Sequence, residues 1–174
     1  MIDPTNVFES NTVVSIFCDR ANPNAHLTGW ICASSEEATL IQHVSPRGLY
    51  DGFILIHTDD FYRIDAEGKY ETKISQLYKI KKQKHPVLVV TDNLYASLLS
   101  FCMEHKHVIS VELEGTTLSG FVTAFDDYYI TLFLVDKYGD ANGKTVISNS
   151  EVISFSVDSQ CEQDIKLLYC NSKA

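Results

Sequence analysis

The chain of 174 residues has no apolar run approaching the roughly 20 residues that a membrane-spanning helix needs. Its start, Met1 to Asn6, carries neither a basic region nor a hydrophobic stretch, so no secretory leader is expected there. No two cysteines lie two to four residues apart, the spacing from which structural zinc sites are built. The five, Cys18, Cys32, Cys102, Cys161 and Cys170, are an odd number and are expected to be reduced thiols, buried or half-buried, in a reducing cytoplasm. No serine–histidine–acid set, phosphate-cradling glycine loop or Cys/His ligand group is visible. The expectation is a cytoplasmic, non-enzymatic protein with no catalytic residue, no metal and no cofactor, and no membrane partner.

Positive charge is also scarce. Fourteen Lys and Arg stand against 23 Asp and Glu, a net charge of −9. Residues 1–65 and 108–174 are each −6, and only the middle, 66–107, is positive, with seven lysines against four acids. A general polyanion binder would show a broad basic face. Here any such contact depends on one cluster, Lys79, Lys81, Lys82 and Lys84, followed by His85 and Pro86. The same residues read equally as an exposed, solvated linker.

What the sequence does contain is a repeat. At an offset of 91, residues 27–78 lie on 118–169 without a gap. The identities include Leu27/Leu118, Gly29/Gly120, Ala33/Ala124, Val44/Val135, Gly48/Gly139, Gly52/Gly143, Ile56/Ile147 and Glu71/Glu162. The copies close on Ile74/Ile165, Leu77/Leu168 and Tyr78/Tyr169. Such self-similarity marks a duplicated structural unit.

Each copy reads as five short strands. Ile109, Val111 and Leu113 alternate with Ser110, Glu112 and Glu114, the period of a half-buried strand. Leu118–Phe125, Tyr128–Val135, Thr145–Ser148 and Val152–Val157 follow, with Lys137 to Lys144 as loop. The first copy gives Val13–Phe17, Leu27–Ala33, Thr39–Val44, Phe53–Ile56 and Phe61–Ile64. Closure into a small barrel would remove the edges that such strands leave. A helix is predicted after each copy, since Ile74, Leu77 and Tyr78 fall on one face. Another, capped by Asp92, is expected to run to about His105 with Leu94, Leu98, Phe101 and Cys102 inward. The fold expected is mainly β: two tandem small five-stranded Sm-like or SH3-like barrels with accessory helices. The first would occupy 1–84 with its helix and basic linker, the second 85–174.

The run from Val111 through Gly115, Leu118, Gly120, Phe125, Asp126 and Tyr128 to Leu132 resembles the first conserved motif of the Sm-like family, nearest its bacterial Hfq subgroup. Val146–Phe155 resembles the second motif, and the helix at 92–105 sits where that family places its N-terminal helix. The first copy resembles it less, keeping Leu27, Gly29 and Trp30 but with Ser35 in place of the aspartate. The resemblance implies bent barrels that join edge to edge into rings and bind uridine- or adenosine-rich single-stranded RNA. It does not carry the RNA pocket residue by residue. The family's asparagine position is Ile130, and its Arg-Gly or Lys-His positions fall on Ser148-Asn149 or Asn149-Ser150. The first copy has His57-Thr58-Asp59-Asp60 there, where carboxylates repel phosphate. Only Tyr128 and Tyr129 remain as stacking candidates, and stacking contributes roughly 1–3 kcal/mol per base beside the larger phosphate term.

His57 to Asp60 and Asp126-Asp127 read as polar turns, and His105 and His107 as helix-end residues favoured by the dipole. The function expected is a self-assembling, tandem Sm-like binding or scaffold protein. Its partners would be copies of itself and single-stranded RNA or an acidic protein, met through Lys79, Lys81, Lys82, Lys84, Tyr128 and Tyr129. The alternatives are a protein–protein scaffold that uses exposed strand edges, and a small-ligand module between the barrels.

Overall fold

A computed structural model of the chain describes residues 11–173; the start read above for a secretory leader lies outside them. The fold is mainly β. The chain divides into two compact units, the first ending at Val87 and the second beginning at Leu88.

The first unit contains β1 (Val14–Phe17), β2 (Leu27–Ser34), β3 (Ala38–Val44), β4 (Tyr50–His57), β5 (Arg63–Ala66) and α1 (Lys69–Ile80). Its strands form an antiparallel sheet in the order β5-β1-β2-β3-β4. The second unit opens with α2 (Leu94–His105) and continues as β6 (Val108–Leu113), β7 (Thr116–Phe125), β8 (Tyr129–Val135), β9 (Ala141–Ser148), β10 (Ser154–Val157) and α3 (Gln160–Asn171). Its order is the same, β10-β6-β7-β8-β9.

The repeat extends to details that no composition argument could supply. Register irregularities fall between Ile31 and Ala33 and between Gln42 and Val44, and again between Val122 and Ala124 and between Phe133 and Val135. Each is displaced by 91, so both sheets are bent at the same points. The short 3-10 turns Thr58–Asp60 and Asn149–Glu151 obey the same offset. So do α1 and α3. β1 departs from it, and β7 begins two residues ahead of the position that matches the start of β2. Val14 faces Gly29 as Ile109 faces Gly120, so the first copy has a longer connection from β1 to β2.

The closing Leu-Tyr of each copy is explained by a glycine. Gly48 and Gly139 hold φ of +67° and +83°, in turns where each amide donates to the carbonyl three residues back, Ser45 or Asp136. A Cβ on Gly48 would stand 2.4 Å from the Leu77 Cβ, and on Gly139 2.5 Å from that of Leu168. The helix thus rests on the β3–β4 or β8–β9 turn, and only glycine lets it so close. Beneath it, Ile74 packs with Val13 and Val44, and Ile165 with Val108 and Val135.

The identical glutamates are buried for a related reason. Glu162 accepts from the Ser159 amide at 2.8 Å and from Ser156 Oγ at 3.1 Å, closing a capping box. Glu71 accepts from Ser15 Oγ at 2.5 Å, tying α1 to β1. Glu71→Ala leaves the buried Ser15 hydroxyl without this acceptor. Its expected cost is about 1–3 kcal/mol by urea denaturation, against a few tenths for an exposed neighbour such as Glu67.

Several expectations are corrected. Among the described residues no ladder joins β5 to β4 or β10 to β9, so neither five-stranded sheet closes on itself. In the first unit the start of β4 is occupied otherwise, since the Tyr50 amide donates to Gln83 Oε1 at 3.0 Å. The loop expected over 137–144 is shorter, because β9 starts at Ala141. The N-cap of α2 is Asn93, whose Oδ1 accepts from the Ala96 amide at 2.9 Å, and not Asp92. Residues 87–90, an apolar run that the sequence leaves unplaced, form no strand, and Val87, Val89 and Val90 are exposed.

Of the cysteines, Cys102 is buried and Cys18 half-buried, while Cys32, Cys161 and Cys170 lie on exposed stretches; none forms a disulfide. Burial, helped by the Asp60 charge, pushes the Cys18 thiol up to about 11. Cys32 is held back despite its exposure, with Sγ turned to the Leu40 carbonyl at 3.3 Å. A thiol reagent at pH 8 is therefore expected to label Cys170 promptly and Cys102 only on unfolding, as peptide mapping would show.

Candidate functional site

In the second unit, the β7–β8 loop and the turn after β9 are locked together. Asp126 Oδ1 accepts from the amides of Tyr128 and Tyr129, both at 2.8 Å, an Asx-type turn. Across from it, the Asn149 amide donates to the Tyr128 carbonyl at 2.8 Å and Asn149 Nδ2 to the Asp126 carbonyl at 3.0 Å. Asn149 Oδ1 is buried without a hydrogen-bond partner. The rings on this scaffold face outward: Tyr128 is 73% exposed and Tyr129 52%.

The first unit builds the same lock from different residues. Ser35 Oγ accepts from the Glu37 and Ala38 amides, doing what the Asp126 carboxylate does. The Thr58 amide donates to the Glu37 carbonyl at 3.0 Å, and Thr58 Oγ1 to the Ser35 carbonyl at 2.9 Å. The substitution of Ser35 for aspartate therefore preserves the turn. What changes is the displayed chemistry. Glu36, Glu37, Asp59 and Asp60 are exposed, and no aromatic ring stands in place of Tyr128 or Tyr129.

The lysine cluster lies in the first unit. Lys79 is in the last turn of α1, and Lys81, Lys82 and Lys84 follow it, all exposed. The segment is nevertheless not a free linker. Lys82, at φ +53°, ends α1 in a Schellman turn, with the Lys82 amide donating to the Lys79 carbonyl and the Gln83 amide to that of Tyr78. The chain reverses, Lys81 Nζ reaches the Arg47 carbonyl at 2.6 Å, and Gln83 meets Tyr50.

His85 then enters a cradle of aromatic rings. Tyr50 lies 4.7 Å away between centroids, Phe53 5.4 Å, Tyr78 5.6 Å and Trp30 6.3 Å. Its Nε2 faces two carbonyls, His43 at 2.9 Å and Gly52 at 3.1 Å, so that nitrogen carries the proton. Nδ1 accepts from the Tyr78 hydroxyl at 2.7 Å. Burial lowers the affinity of His85 for a second proton below the ordinary value of 6.5. Burial also raises the Tyr78 phenol above its usual range.

His105 and His107 sit at the end of α2, where Lys106 takes a left-handed C-cap and the His107 amide donates to the Cys102 carbonyl. His107 Nδ1 lies 2.9 Å from Asp158 Oδ1, off the direction a hydrogen bond needs; the contact is a close charge pair only when the imidazole is protonated. Among the described residues no three His, Cys, Asp or Glu side chains are grouped so as to hold a metal ion. None of the described helices is long and apolar enough to cross a membrane.

The sequence-derived candidates thus fall into two places, the tyrosines on one unit and the lysines on the other. Sequence reasoning missed Gln83 and His85 as anchors, and Asn149 as the brace of the tyrosine turn. Their signals were a histidine closing a lysine run before Pro86, and an asparagine set between serines after a strand. No family model, curated protein or solved structure matches the chain.

Proposed function

We propose that the protein is a non-enzymatic, self-assembling binding module made of two Sm-like units, of which the second offers a surface for single-stranded RNA. The observation that carries this reading is the Tyr128–Tyr129 turn. Two exposed rings are fixed by Asp126 and braced by Asn149. Aromatic faces held out at fixed positions suit unpaired bases. The shared order β5-β1-β2-β3-β4 and its counterpart, with the recurring bulges, support the Sm-like reading of both units. The first unit, acidic at the equivalent loops, has kept the framework and lost that surface. Its exposed lysines are a separate candidate contact, through the charge they offer to phosphate.

Fluorescence anisotropy with labelled oligo-U and oligo-A tests this. Binding that uses all four lysines should weaken with salt at a log–log slope of about −3, from about −0.7 per phosphate on a single strand. The Lys79, Lys81, Lys82 and Lys84 alanine variant should flatten that slope. Tyr128→Ala and Tyr129→Ala should each weaken affinity by roughly 1–3 kcal/mol with the slope unchanged. No binding of either oligonucleotide at low salt overturns the RNA reading and leaves a protein–protein scaffold. The exposed edge of β9 favours that second reading, since its backbone is open to strand addition.

A further inference from the structure

We propose that His85 is a proton-operated latch: in its neutral form it holds residues 81–86 against the aromatic cradle of the first unit, and protonation releases that strap with its lysines. The geometry fits a neutral ring. One nitrogen must donate to the His43 and Gly52 carbonyls while the other accepts from the Tyr78 hydroxyl. A second proton on Nδ1 takes that acceptor from the Tyr78 hydroxyl, which must turn its hydrogen away from the ring, and places a charge inside a cradle of four aromatic rings.

The titratable groups around the ring come from α1, β3 and β4. Tyr78 comes from α1 and is neutral at physiological pH. His43 on β3 opposes a charge on His85, and Asp51 on β4 favours one. Asp51 is already engaged, with Oδ2 3.3 Å from His43 Nδ1, so its attraction is shared with that imidazole. Burial outweighs both. The start of the strap is tied to α1 by the Schellman turn, and beyond it Gln83 meets the Tyr50 amide and Lys81 one carbonyl. Docking is thus fully favourable above about 6.5, the value of a released histidine. It weakens by up to tenfold per pH unit as the pH falls from there towards the depressed value of the docked ring.

The protein supplies its own reporter. Trp30 is the single tryptophan, 4.9 Å from Tyr78 and edge-on to His85. Trp30 fluorescence, titrated between pH 8 and pH 4.5, should show a transition with its midpoint below 6.5. Tryptic cleavage after Lys82 and Lys84 should rise by up to about tenfold between pH 7.5 and pH 5.5, normalised to a free peptide spanning 79–90. His85→Gln should abolish the transition and make cleavage independent of pH, while His43→Gln should keep both. A transition that persists in His85→Gln, or cleavage that does not respond to pH in the wild type, overturns the latch. Loss of far-UV circular dichroism along the same curve also overturns it, because the unit would then be unfolding. The readouts involve no nucleic acid, so the latch and the RNA reading fail separately.

Discussion

Gly120→Ala is expected to lower the melting temperature of the second unit by 10 °C or more. A Cβ at Gly120 would lie 2.2 Å from the Phe133 carbonyl oxygen and 3.0 Å from the Leu134 Cα. These are backbone atoms of the neighbouring strand, in the same β7–β8 ladder that the glycine helps to form. No side chain can rotate aside, so β8 itself must shift at its bulge. An overpacked core typically costs about 1–3 kcal/mol, and a clash with fixed backbone belongs at or above the upper end. For a unit of this size each kcal/mol moves the midpoint by about 4–8 °C. Gly29→Ala sets the same trap in the first unit, with its Cβ 2.0 Å from the Gln42 carbonyl oxygen. The two variants can be told apart, because Trp30 reports on the first unit alone. Gly29→Ala should shift the Trp30 fluorescence melt directly. Gly120→Ala should shift the far-UV signal of the second unit, and any accompanying movement of the Trp30 melt measures how far the units unfold together. A change under about 3 °C at Gly120 would mean that β8 is not constrained there.

That glycine pair was readable as a pair before its cause was. The offset of 91 marked Gly29/Gly120, Gly48/Gly139 and the terminal Leu-Tyr as one pattern. It could not say that the last two explain each other through a helix resting on a turn. Strand positions were legible where side chains alternate, as in Val108–Leu113, because burial on one face writes itself into the sequence at period two. The start of β9 was not. Ala141 to Lys144 are all exposed and include Asn142-Gly143, so the residues carry turn chemistry while the ladder partner, β8, imposes the strand. Closure of the sheets was an inference from strand count, and strand count does not say what occupies an edge. In the first unit the start of β4 is met by the Gln83 side chain, from a segment that reads as solvated linker.

The site was legible in the same uneven way. Tyr128 and Tyr129 stand out as adjacent rings after an aspartate, and their exposure follows from the turn that Asp126 builds. The His85 cradle did not stand out. Its rings come from β2, β4 and α1, and none of Trp30, Tyr50, Phe53 and Tyr78 signals the others along the chain. Neighbouring lysines also bias the reading of a histidine towards solvent. Its two carbonyl partners lie at the β3–β4 bulge, where the ladder leaves them unclaimed. Irregularities of this kind become visible only once the register is known.

Self-assembly should be abolished by one charge on β9. The strand is an edge of its sheet, with Ala141 to Lys144 exposed and Val146 64% exposed. A valine so placed on an edge invites pairing with another chain, which natural sheets otherwise suppress with charge or proline. If copies of the protein join by strand addition there, Val146 enters the interface, and an aspartate would carry an unpaired carboxylate into it. That desolvation costs several kcal/mol, and at about 1.4 kcal/mol per factor of ten the contact should weaken more than a hundredfold. The monomer should scarcely notice, since substitutions at exposed positions usually stay within about 0.5 kcal/mol. Light scattering across a dilution series should therefore find wild-type assemblies and monomeric Val146→Asp, with unchanged circular dichroism and melting temperature. Val146→Thr, which keeps the β-branched shape without the charge, should still assemble. Wild-type protein that stays monomeric at high concentration would remove the assembly reading. Assemblies that survive Val146→Asp would move the contact to another edge, because a buried lone carboxylate is the one change strand addition at β9 cannot absorb.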